Sequence, residues 1–275
     1  MTVPILELNQ GNFIPQLGFG SFKIAPELTQ GIIEEALAAG YRHIDTAKGY
    51  NNEAEVGAAI RASGIPRESL FVTTKMWNDD HRSGDVRGAL QRSLDALDIG
   101  YIDLYLIHWP LPAVDRYVKV WEEFIKIKDE GLVESIGVCN FQIPHLQQII
   151  EKTGVAPAVD QVELHPVFQQ VELRKYLDEH DINVEAWGPL GQGRYDLGSY
   201  APIADAAAAH HKTPAQIVLR WHMQSGTIAI PKASSRTHMD ENFDIFDFEL
   251  TGPEMEQITS MDTGQRLASD PDQVN

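Results

Sequence analysis

At 275 residues, with 43% hydrophobic and 23% charged side chains, the chain is long enough for two average domains or one large α/β barrel and has the balance of a protein that buries a sizeable core. A net charge of −18 excludes nucleic acid and anionic membrane surfaces as partners, because both would repel it, and requires any anionic ligand to find a local basic pocket. A single cysteine, Cys139, excludes internal disulfides and multi-cysteine metal sites; with no apolar run near the roughly 20 residues of a membrane span and no signal-peptide pattern in "MTVPILELNQ", the chain is expected to be cytoplasmic.

In chain order, "ILELNQGNFIPQL" alternates, turns at Gln10 and Gly11 and alternates again, which predicts a hairpin capping one end of the fold. Short β-rich runs then alternate with amphipathic helical stretches. "QLGFG" precedes the helix "ELTQGIIEEALAAG", "YRHID" precedes "EAEVGAAIRASG", "LFVTTK" precedes "GDVRGALQRSLDALD", and "DLYLIH" precedes "RYVKVWEEFIKIKDEG". "ESIGVCN", "VDQVELH", "NVEAWG" and "TIAIPK" complete the strands, with "TPAQIVLRWHMQSG" as the helix before the last of them. Several of these helices end on the glycine that favours a helix C-terminus. "PLPAVDR" and "GPLGQGRYDLGSYAPI" read as inserted loops, and the polar tail "TGQRLASDPDQVN" as an arm over one face.

Eight strand and helix units in about 250 residues match the size of a (β/α)8 TIM barrel, whereas a doubly wound sheet would show fewer strands and a glycine-rich first turn. The expectation is therefore an α/β chain forming one barrel domain over residues 1–275. Barrels of this kind carry their active sites at the C-terminal ends of the strands. Those positions are polar here: Asp45, Lys75, His108, Asn140, Gln161, Trp187 and Lys232. Buried ionisable groups cost several kcal/mol unless paired, so packing alone does not account for such a series.

The chemistry that best uses Asp45, Lys75 and His108, with Tyr50 in the loop after Asp45, is protonation of a substrate oxygen. A tyrosine with a pKa near ~10 is a poor acid at neutral pH, and a neighbouring ammonium such as Lys75 eases release of its proton. Asp45 would keep Lys75 charged, and His108 would hydrogen-bond the oxygen. That set suits the reduction of a carbonyl. The same Asp45 and Lys75 also read as a structural ion pair, Tyr50 as a loop aromatic, and His108 as a satisfied strand-end histidine.

The motifs "LGFGSFK", "GYRHIDTAKGYNNEAEVG", "TTKMWN", "DLYLIHWP", "SIGVCNF", "QVELHP", "GPLGQG" and "IPK" resemble, in order, those of the aldo-keto reductase superfamily, and most closely its bacterial 2,5-diketo-D-gluconate reductases. The resemblance implies a metal-free TIM barrel that binds NADPH and reduces carbonyls through Asp45, Tyr50, Lys75 and His108, with Tyr50 as general acid. It implies that Asn140 and Gln161 bond the nicotinamide carboxamide and that Trp187 stacks on the ring. Gly188, Leu190 and Gln192 would lie at the pyrophosphate, and Lys232, Ser234, Arg236, Glu241 and Asn242 at the adenosine end. Phe22, Trp77, Trp109 and the tail would form the substrate pocket, with Lys48 at its border; Trp77 and Trp109 also read as core aromatics.

Three positions depart from the family pattern. Ala233 and His238 stand where relatives carry a serine and an arginine, which weakens recognition of the 2′-phosphate and predicts that NADPH is preferred over a usable NADH by a smaller margin. Cys139 stands where a serine commonly contacts the carboxamide, and a thiol is the weaker donor; it also reads as an inert buried thiol. His210 and His211 read as surface residues rather than as metal ligands. Two other readings remain open: a lyase with Lys75 as Schiff-base nucleophile, and a cofactor-binding regulatory subunit without catalysis. The expected partner is a small carbonyl substrate, and the expected assembly a monomer.

Overall fold

The alternation at the N-terminus folds into two antiparallel strands, β1 (Ile5–Glu7) and β2 (Phe13–Pro15), in a computed structural model that describes residues 3–274. Met1, Thr2 and Asn275, the ends of the expected domain, lie outside the described residues. The turn falls where the sequence places it: the Gly11 N–H donates to Leu8 O at 2.9 Å, and Gly11 has a φ of 87°, which a side chain would strain. Leu8 and Ile14 point inward and pack with Phe71, Leu104, Leu106, Val159 and Ile228. The polar face of the hairpin is tied to the starts of two barrel strands, with Asn9 Nδ2 donating to Pro157 O at 2.9 Å and Gln10 Nε2 to Ile136 O at 3.1 Å. The hairpin is a floor for the barrel.

Eight parallel strands follow, each hydrogen-bonded to the next in chain order. They are β3 (Phe19–Gly20), β4 (His43–Asp45), β5 (Phe71–Met76), β6 (Leu104–Ile107), β7 (Ser135–Cys139), β8 (Val159–Glu163), β9 (Asn183–Trp187) and β10 (Ile228–Ala229). The first and last meet: the Gly18 N–H donates to Ala229 O and the Ala229 N–H to Gln16 O, both at 2.9 Å, so the sheet closes on itself and keeps no free edge. All eight strands occupy the stretches expected of them.

The helices α1 (Pro26–Ala39), α2 (Glu53–Ala62), α4 (Val86–Leu97), α5 (Tyr117–Asp129) and α9 (Pro214–Gln224) are those expected, and α6 (Ile143–Thr153), α7 (Val171–Asp178) and α8 (Ala201–His210) complete the ring. In α5, Tyr117, Val120, Trp121, Phe124 and Ile127 recur at helical spacing and are buried. Each large side chain contributes about 2 kcal/mol of apolar burial between ring and barrel. The second inserted loop is shorter than expected, since its last residues start α8, where Pro202 lies in the first turn. The short α3 (Asn78–Ser83), with α10 (Arg236–Phe243) and α11 (Gly252–Thr259), lies outside the periodic pattern. His210 is not a simple surface residue. Its Nε2 lies 3.0 Å from both carboxylate oxygens of Glu254, joining α8 to α11 in a half-buried pair. Among the described residues no cluster could hold a metal, and no helix is long and apolar enough to cross a membrane.

Candidate active site

At the C-terminal mouth of the barrel the strand-end residues converge on a cavity of about 600 Å³. β4 and β5 are neighbours, which brings Asp45 and Lys75 together although 30 residues separate them. Lys75 is fully buried, and its Nζ donates to Asp45 Oδ1 at 2.7 Å, Asp45 Oδ2 at 2.8 Å, Thr46 O at 2.8 Å and the Tyr50 hydroxyl oxygen at 3.3 Å. Burial alone would favour the neutral amine, but the Asp45 carboxylate in contact with it outweighs burial and holds the ammonium above its ordinary value. A Schiff-base nucleophile needs the opposite shift.

Tyr50 sits at the end of the 3-10 turn Lys48–Tyr50. Gly49 within that turn lies against Trp77, where an added Cβ would fall 2.4 Å from the ring, so the close approach that seats Tyr50 requires glycine. Burial pushes the phenol above its ordinary value and outweighs the opposite pull of Lys75. This qualifies the expectation from sequence: the ammonium moderates the phenol rather than ionising it, and Tyr50 is held protonated. Because Lys75 donates to the phenolic oxygen, the hydrogen of Tyr50 is left to be donated elsewhere.

His108 stands one residue beyond β6 and meets Tyr50 and Trp77 edge-on, with ring centroids at 5.7 and 5.1 Å. Burial and then the Lys75 charge hold its pKa well below the ordinary value, so it is a neutral donor or acceptor. Its buried Nδ1 has no partner.

The two amides expected at a carboxamide are more constrained than the sequence suggests. Gln161 donates to Asp45 Oδ2 at 2.8 Å and to Glu185 Oε2 at 3.1 Å, which uses both its amide hydrogens, while its oxygen accepts a weak bond from the Cys139 thiol at 3.7 Å and keeps one lone pair for a further donor. Asn140, held in the left-handed region at φ 63°, donates to His108 O at 3.0 Å and to Cys139 Sγ at 3.1 Å and accepts from Trp187 Nε1 at 2.9 Å. That last bond fixes the orientation of the Trp187 ring. Both amides therefore face an incoming group chiefly as acceptors.

Behind them lies Glu185, which sequence reasoning missed because it occupies an inward position of an ordinary alternating strand. The His43 Nδ1 is 3.2 Å from Pro15 O, which can only accept, so this nitrogen carries the hydrogen and Nε2 presents a lone pair. That Nε2 lies 3.2 Å from the Thr73 hydroxyl, and Glu185 Oε1 approaches it to 3.5 Å. A proton on Glu185 removes the repulsion. Consistently, burial and the charge of Asp45 push Glu185 up to about 8, and burial pulls His43 down to about 3.

Phe22, Trp77, Trp109 and Trp187 line the cavity, as do Gly188, Leu190, Gln192 and Lys232. Lys23 and Arg194 join Lys232 there, and supply the local basic pocket that the net charge demands. The sequence reading missed both, although "LGFGSFK" and the inserted loop contain them. Lys48 lies outside the lining, in the turn before Tyr50. So do Ser234, Arg236, His238, Glu241 and Asn242, at or just before α10, where Ser235 caps the helix by accepting from the His238 N–H and Arg236 pairs with Asp240 at 2.8 Å.

The sequence pattern of the aldo/keto reductase family matches residues 16–263. The chain belongs to that family. It is 48% identical over 269 residues to methylglyoxal reductase DkgA of Escherichia coli strain K12, covering 98% of this chain and 97% of that protein. An aldo-keto reductase of Mycolicibacterium smegmatis is 47% identical over 272 residues, covering 99% and 98%. Among solved structures, a mutant of Gox0644 in complex with NADPH superposes with a TM-score of 0.95 at 39% identity, with both chains covered in full. The chain is thus an oxidoreductase of the aldo-keto reductase class with a closed (β/α)8 barrel.

Proposed function

We propose that this enzyme reduces small and medium aldehydes and ketones to alcohols with NADPH, acting as a cytoplasmic monomer built of one barrel domain. The observation that carries the reading is the Tyr50 hydroxyl beside the buried Lys75 ammonium at 3.3 Å, open to a cavity walled by aromatic rings. When bound, NADPH supplies a hydride from its nicotinamide. The residues present fit such a group: Trp187 offers a ring face whose orientation Asn140 fixes, Gln161 and Asn140 offer acceptors to a carboxamide, and Lys232, Lys23 and Arg194 offer positive charge to phosphates. Gly188, Leu190 and Gln192 would hold the pyrophosphate, and Ser234, Arg236, His238, Glu241 and Asn242 the adenosine end.

In this mechanism a carbonyl oxygen lies between Tyr50 and neutral His108. Aromatic walls exclude water and orient the carbonyl, His108 shares a hydrogen bond with its oxygen, and Tyr50 donates its proton as negative charge develops there. Lys75 then stabilises the phenolate, and Asp45 keeps Lys75 charged and fixed. Substrate size is best matched by three-carbon dicarbonyls, given the methylglyoxal reductase relatives, or by keto-sugar acids such as 2,5-diketo-D-gluconate, given the motif resemblance. NADH is accepted less well than NADPH, by a margin that His238 and Ala233 narrow. Tyr50→Phe tests the reading: NADPH oxidation with methylglyoxal should be lost while NADPH binding, followed by fluorescence, is retained. Turnover equal to the parent's would discard Tyr50 as the acid.

A further inference from the structure

Glu163 closes β8 and takes no part in the chemistry above, although it lies in "QVELHP" at the mouth of the barrel. Its side chain is 2% exposed, and it is saturated with donors. Oε1 accepts from the Leu267 N–H at 2.8 Å and lies 3.2 Å from His165 Nε2; Oε2 accepts from the Ala268 N–H at 3.2 Å and lies 3.7 Å from Arg266 Nη1. Three of these four partners belong to the tail, more than 100 residues further along the chain. Arg266 is itself seated over the Phe168 ring at 4.7 Å.

Ala268 and Ser269 line the same cavity as the aromatic rings. Leu267 and Ala268 also line a small gap together with Gly188, Gln192 and Arg194, in the loop proposed for the cofactor. Among the described residues the tail contains no helix or strand after Thr259, so its backbone amides find their partners outside regular structure. A buried carboxylate receiving two adjacent backbone N–H groups fixes both the position and the direction of the chain that follows. Thr263, which donates twice to Val167 O, and Asp272, which pairs with His145, anchor the tail on either side, and Glu163 holds the stretch between them.

We propose that Glu163 is a positioning residue for substrate selection: by clamping Leu267 and Ala268 it sets the width of the cavity and so decides which carbonyls are admitted by size. The inference rests on the carbonyl-reductase reading, and its action runs through the tail rather than through the reacting atoms. Replacing the carboxylate by an amide substitutes an N–H group for one of the two acceptor oxygens, so that one clamp bond is lost and a donor faces a donor. Leu267→Pro removes the other half of the same bond, leaving Glu163 intact.

The experiment measures kcat and KM of the parent, Glu163→Gln and Leu267→Pro with methylglyoxal and with a bulky aromatic ketone, alongside NADPH binding and hydrogen exchange of the tail amides. In both variants the ratio of kcat/KM for methylglyoxal over the bulky ketone should fall about tenfold, through KM and with kcat nearly unchanged, on the scale of one charge-assisted hydrogen bond. NADPH affinity should stay within about twofold of the parent, and tail amides should exchange faster. The proposal is overturned if the ratio is unchanged in variants whose tail exchanges faster, if kcat and NADPH binding fall together with it, or if tail exchange does not change. Should Glu163→Gln fail to fold, Leu267→Pro decides alone. A parent that reduces neither carbonyl would overturn the carbonyl-reductase reading instead, and the exchange of the tail amides would still report on the clamp.

Discussion

Replacing Lys75 by methionine removes the charge at the centre of the site and keeps most of its volume. The bare attraction between an ammonium and a phenolate 3.3 Å apart is about 5 kcal/mol at an effective dielectric of about 20. Asp45, in contact with the ammonium at 2.7 Å, offsets part of this, so we expect a loss of about 3 to 4 kcal/mol at the transition state, a fall in kcat of about 10²- to 10³-fold. Stability should fall too, by about 3 kcal/mol or more, because Asp45 is left buried and unpaired. Adding Asp45→Asn removes the orphaned carboxylate, and the double variant should regain much of the stability and none of the turnover. The assay is steady-state oxidation of NADPH with methylglyoxal, paired with thermal denaturation of each variant. If Lys75→Met folds and its kcat stays within about threefold of the parent, the electrostatic role assigned to Lys75 is wrong.

Glu185 makes stability depend on pH. Its pKa in the folded protein, about 8, lies above the ordinary value of 4.5, so its stabilising contribution is fully present below the unfolded pKa and is lost as pH rises through the folded one. The Tm of the parent should therefore fall from about pH 5 to about pH 9 more steeply than that of Glu185→Gln; parallel curves would show that Glu185 is not held protonated. At the adenosine end, His238→Arg should raise the ratio of kcat/KM with NADPH to that with NADH about five- to tenfold, since an arginine is charged at neutral pH and forks onto phosphate. An unchanged ratio would remove His238 from cofactor discrimination.

Much of this was legible in the sequence because a barrel repeats one local pattern. Each strand could be read from its apolar run, and the polar residue ending each run was carried to a common mouth by the topology alone. Asp45, Lys75 and His108 were found in this way, and Tyr50 by its distance from Asp45. What escaped was set by pairings across the ring. The two hydrogens of Gln161 are claimed by Asp45 and Glu185, 116 and 24 residues away, so its use as an acceptor could not be read from its own neighbours. His210 looked exposed because its partner Glu254 lies 44 residues later on another helix. Lys23 and Arg194 sit in loops where a lone cation carries no periodic signal, and only the closed cavity groups them with Lys232.

The hairpin beneath the barrel has a consequence for traffic. With Leu8 1% exposed and Ile14 fully buried, the floor is packed shut, and the cavity among the described residues lies at the other end, at the strand C-termini. In the proposed mechanism, nicotinamide, carbonyl and the proton that returns to Tyr50 share that mouth, and whichever enters first stands in the path of the next. A closed floor would thus shape the sequence of arrivals from the opposite end of the molecule.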